Sequence, residues 1–96
     1  MIAFEFDIEY SRDADKFLEK NQSVVSKDRV KTLVTSAMRK IIRREDINVD
    51  LIQLKGEPKG TFRIKTGDAR IIFKLYTDPA LVAFVKEVVF RKDAYR

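Results

Sequence analysis

The fourteen residues GTFRIKTGDARIIF, Gly60 to Phe73, constrain the fold of this chain more than any other stretch. Apolar and polar residues alternate on both sides of Gly67-Asp68, a pair suited to a two-residue hairpin loop with a positive φ at the glycine. Such a loop makes the numbers of facing residues sum to a constant. Lys65 then faces Arg70, Ile64 faces Ile71, Arg63 faces Ile72 and Phe62 faces Phe73, and facing residues share a side of the sheet. One side therefore carries Phe62, Ile64, Ile71 and Phe73. The other carries Arg63, Lys65 and Arg70, three like charges that weaken a sheet when neighbours. One reading is a solvated face whose cations discourage edge-to-edge association. The other is a surface built for an anion.

The rest of the chain supplies elements to pack on that hairpin. IAFEFDIEY alternates strictly, with Ile2, Phe4, Phe6, Ile8 and Tyr10 on one face, the signature of a half-buried strand. Ser11 offers a helix N-cap, followed by Asp13 and Asp15 in the first turn and Ala14, Phe17 and Leu18 at helical spacing. A second helix begins near Ser26, with Val25 and Val30 placed as a hydrophobic staple around it. Val30, Leu33, Val34, Ala37 and Ile41 form its apolar stripe. REDINVDLIQLKGEPKG reads as a connection with a short apolar element at Val49 to Leu54. Three strands follow, at Thr61–Lys65, Ala69–Tyr76 and Leu81–Phe90. The order βααβββ predicts one α+β domain over residues 1–96: a mainly antiparallel four-stranded sheet with two N-terminal helices packed on one face.

Composition narrows the chemistry. The 96 residues contain neither cysteine nor histidine, so thiolate nucleophiles, the usual zinc sites and the commonest neutral-pH base are absent. EDINVD is not a calcium-loop pattern, and no metal or other cofactor is expected. A net charge of +5 favours a polyanionic partner. No apolar run approaches a bilayer span and no secretory signal opens the chain, so a cytoplasmic protein without a membrane partner is expected.

LKGEPKGTFRIKTGDARIIFKL followed by VVFRKDAYR resembles the RelE/ParE superfamily of type II toxins, and more particularly its RelE branch of mRNA interferases. The pattern shared is a Leu-Lys-Gly, a basic strand, a Gly-acid-x-Arg turn and a C-terminal Arg-Lys-x-x-Tyr-Arg. The resemblance implies a ribosome-dependent endoribonuclease that cleaves messenger RNA in the A site, by attack of the substrate's own 2′-OH. It further implies two partners, the ribosome and an antitoxin, which is expected to offer an acidic amphipathic segment. Carried over by position, Lys65, Arg70, Arg91 and Tyr95 are the candidate catalytic residues, with Lys65 as base and Arg70 on the phosphate. Arg63, Lys92 and Arg96 are candidate substrate-binding cations. Two positions depart from the pattern: Ala69 where the turn usually has an aromatic residue, and Phe90 where many relatives have a histidine. The alternatives are a ParE-like inhibitor of DNA gyrase on the same scaffold, or a degenerate module that binds RNA or antitoxin only.

Overall fold

A computed structural model describes residues 5–93. Its elements are β1 (Asp7–Tyr10), α1 (Arg12–Lys20), α2 (Lys27–Ile42), β2 (Leu51–Gln53), β3 (Thr61–Thr66), β4 (Ala69–Tyr76) and β5 (Val82–Phe90), ending in a 3₁₀ turn at Arg91–Asp93. Both helices start where a serine can cap them. The Ser11 hydroxyl accepts from the Ala14 N–H and the Ser26 hydroxyl from the Arg29 N–H, each at 3.0 Å. The staple closes as well, since Val25 and Val30 are both buried.

The sheet departs from expectation in two ways. It has five strands, in the order β1-β5-β4-β3-β2, and it is mixed, because β1 runs parallel to β5 while every other pair is antiparallel. The extra strand, β2, lies in the apolar element of the connection. It is three residues long and owes its strand conformation to pairing with β3 (Leu51 with Ile64, Gln53 with Phe62). The parallel pairing arises because the two helices carry the chain across the sheet between β1 and the later strands. Ile2 and Phe4 of the expected first strand lie outside the described residues.

The core lies between the helices and one face of the sheet. Ala14 and Leu18 of α1 and Val30, Leu33, Val34, Ala37 and Met38 of α2 cluster with Ile64, Ile71, Phe73, Ala83, Val85 and Val88. Full burial of a side chain such as Phe73 contributes ~1.5–3 kcal/mol. Its ring stacks on Phe62 at 5.5 Å. Phe90 meets Phe17 of α1 edge-on at 4.9 Å, so the residue standing at the histidine position is a packing residue here. The buried Ala69 is its cross-strand partner.

Candidate active site on the outer face of the sheet

The hairpin has the register that the turn predicts. Lys65 faces Arg70, Ile64 faces Ile71, Arg63 faces Ile72 and Phe62 faces Phe73. Gly67 has φ +52° and Asp68 is not in the positive region, the pattern of a turn with glycine at its first central position. Adding the β4–β5 register gives two rows across the face opposite the helices. Lys65, Arg70 and Val89 form the row nearest the turn, and Arg63, Ile72 and Glu87 the next.

Lys65 is exposed, and its backbone N–H donates to the Asp50 carbonyl at 2.9 Å. Arg63 is half-buried, and its guanidinium lies 3.8 Å from the Asp50 carboxylate. Arg70 lies on the expected face but does not stand in solvent: it is 1% exposed. Its Nη1 donates to the carbonyls of Gly67 at 3.0 Å and Ala69 at 2.8 Å, whereas its buried Nε has no hydrogen-bond partner. The tight turn explains this burial, because it brings two carbonyls within reach of a side chain starting one residue further on. Arg91 and Lys92 are exposed in the 3₁₀ turn after β5. The Arg91 N–H donates to the Asp68 carbonyl at 2.6 Å, which fastens this segment to the hairpin tip. The Lys92 ammonium stands 5.9 Å from the Phe90 ring centroid. Tyr95 and Arg96 lie outside the described residues.

Two carboxylates accompany these cations. Asp50 pairs with Arg63 from the segment entering β2. Glu87 is exposed on the same face, opposite Ile72, and makes no ion pair among the described residues. Strict alternation from the buried Ala83 and Val85 would send Glu87 into the core. A register shift prevents this: Phe73 pairs with Val85 and Ile72 with Glu87, leaving Lys86 as the extra residue of a bulge. The signal was present in the sequence as the change from odd to even core positions between Val85 and Val88. Apolar residues on both faces of VAFV and VVF concealed it.

No family model matches the sequence, and no curated protein matches it either. Solved structures do match. A chain of the E. coli DinJ–YafQ complex superposes with a TM-score of 0.66 at 21% identity, over 96% of this chain and all of that one. YafQ from E. coli strain BL21(DE3) gives 0.65 at 18% identity with the same coverage. The toxin–antitoxin complex RelBE2 from Mycobacterium tuberculosis gives 0.61 at 18% identity, over 88% of this chain and 96% of that one. This is the RelE-like toxin fold. The match runs almost the full length of both chains, so it includes the first half, which carried no motif.

Proposed function

We propose that the chain is the toxin of a type II toxin–antitoxin system and acts as a metal-independent endoribonuclease on messenger RNA in the ribosomal A site. What supports this reading is that Arg63, Lys65 and Arg70 share one face of the hairpin and that the backbone of Arg91 is fastened to its tip, within a fold shared with YafQ and RelE structures. A phosphodiester placed there meets the exposed cations of β3 and of the turn after β5. The 2′-OH attacks the phosphorus, and the products are a 2′,3′-cyclic phosphate and a 5′-hydroxyl.

Arg63 and Arg91 bind the phosphate oxygens, with Lys92 and Arg96 on neighbouring phosphates. Arg70 adds a fixed positive charge below them, where burial strengthens its field and leaves nothing to reorganise. Such preorganised stabilisation is commonly worth ~2.7–4 kcal/mol per group. Lys65 is the exposed proton-transfer group, and Tyr95 stacks on a base or assists that transfer. The partner in the producing cell is an antitoxin with an acidic amphipathic segment, and the site of action is the cytoplasm.

Expression of the chain in a translating extract tests the reading. Message cut within ribosome-bound codons, with cyclic phosphate ends, is the expected result, and free RNA should be cut poorly. An intact message together with trapped gyrase–DNA complexes would replace the nuclease by a ParE-like inhibitor.

A further inference from the structure

Cleavage in line requires the attacking 2′-oxygen and the departing 5′-oxygen on opposite sides of the phosphorus. One side chain cannot serve both, so a base and an acid must flank the phosphate. Among the exposed groups of the cationic face, Lys65 is the amine placed to hand a proton to the departing oxygen. The chain has no histidine to act as base. Glu87 supplies the complementary chemistry, a carboxylate side chain on the same outer face. It is exposed, makes no ion pair among the described residues, and lies on the same face as Lys65, two strands across and one row further from the turn, about 12 Å away at ordinary strand spacing and rise. Ile72 lies on the strand between Arg63 and Glu87, an apolar floor between cation and carboxylate.

We propose that Glu87 is the general base of this site, brought to the catalytic face by the bulge at Lys86, and that Lys65 is the acid. This assignment rests on the endoribonuclease reading above. The 2′-OH proton passes to the Glu87 carboxylate as the 2′-oxygen bonds to phosphorus. The bond from phosphorus to the 5′-oxygen breaks, and that oxygen takes a proton from the Lys65 ammonium. Nothing else is consumed. The bulge is what makes the arrangement possible, since an unbroken β5 would turn Glu87 toward the helices.

The test is cleavage of a defined message on programmed ribosomes by wild type, Glu87→Gln and Glu87→Asp, with kcat and KM measured across pH. Glu87 is exposed, so the variants should melt with the wild type. Glu87→Gln should lower kcat by about 10²–10⁴-fold, leave KM within threefold and flatten the acidic limb of the pH–rate profile. Glu87→Asp should recover part of the rate. A Gln variant with wild-type kcat and pH profile overturns the assignment while the nuclease reading stands, as does a loss confined to KM. A wild-type protein that leaves the message intact defeats the nuclease reading, and the role of Glu87 falls with it.

Discussion

Replacing Arg70 by alanine should unfold much of what a simple loss of activity would be taken to report. The side chain is 1% exposed and holds two turn carbonyls through Nη1. Hydrogen bonds to a charged group contribute ~1.5–3 kcal/mol each, and truncating a large buried side chain leaves a cavity costing ~2–5 kcal/mol. Against these stands the relief of a desolvated charge whose Nε is unpartnered, worth ~1–3 kcal/mol. The balance for Arg70→Ala is a loss of ~2–10 kcal/mol, centred near ~6, a large part of the ~5–15 kcal/mol that holds a domain this size together. Arg70→Met keeps most of the volume and removes the buried charge, so it should avoid most of that ~2–5 kcal/mol cavity cost. Urea denaturation of both variants measures the difference. An alanine variant within 1 kcal/mol of wild type would show that the guanidinium is solvated and the burial argument wrong. Growth assays should therefore use Arg70→Met: if Arg70 acts through its charge, this folded variant loses toxicity.

Three further outcomes follow from particular contacts. Glu45 is held below the usual carboxylate range, first by the bidentate hydrogen bond from Arg39 (2.7 and 3.1 Å) and then by its attraction to Arg39 and Arg43. A lowered folded-state value stabilises above the ordinary glutamate pKa of ~4.3 and ceases to do so as pH falls through it, so the Tm gap between wild type and Glu45→Gln should be open at pH 7 and closed in strong acid. Gly60 has φ +88° and an added Cβ would stand 3.2 Å from the Leu75 carbonyl oxygen, whereas at Gly67 (φ +52°) it would meet nothing within 4 Å. Gly60→Ala should cost ~2 kcal/mol or more and Gly67→Ala about 1 kcal/mol, and equal denaturation midpoints would contradict this. With the protein encoded beside this one as antitoxin, stopped-flow association should slow as salt rises while dissociation changes little; an association rate indifferent to salt removes the electrostatic part of the partner proposal.

The legible parts of this fold were those written in local chemistry. A glycine-acid turn between alternating runs set the hairpin register to the residue, and two serines marked both helix starts. What escaped depended on distant chain. β2 is too short to show a period, and the parallel pairing of β1 with β5 joins residues as far apart as Asp7 and Val82. The site divides in the same way. Arg63, Lys65 and Arg70 shared a face by alternation alone, but the burial of Arg70 depends on where the turn carbonyls point. Glu87 was hidden by the bulge, which inverts the parity of everything after it on β5.

That bulge is not an isolated irregularity, because Ser11 ties it to the start of α1. The Ser11 hydroxyl accepts from the Ala14 N–H as the helix cap and donates to the carbonyl of Lys86, the extra residue of β5, at 2.5 Å. Its own N–H donates to the Val85 carbonyl at 2.9 Å, on the other side of the displaced peptide. One serine thus satisfies a helix donor that has no partner within the helix and a carbonyl taken out of the β4–β5 ladder. Each would otherwise be an exposed or orphaned backbone group beside the core, which is a reason for the bulge to sit at Lys86 and nowhere else along the strand. The consequence reaches the opposite side of the sheet. By fixing where β5 changes parity, a contact on the helix side determines that Val88 and Phe90 pack inward and that Glu87 and Val89 turn outward beside Arg70. The packing of the first helix and the chemistry of the cationic face are therefore set by the same hydrogen bonds.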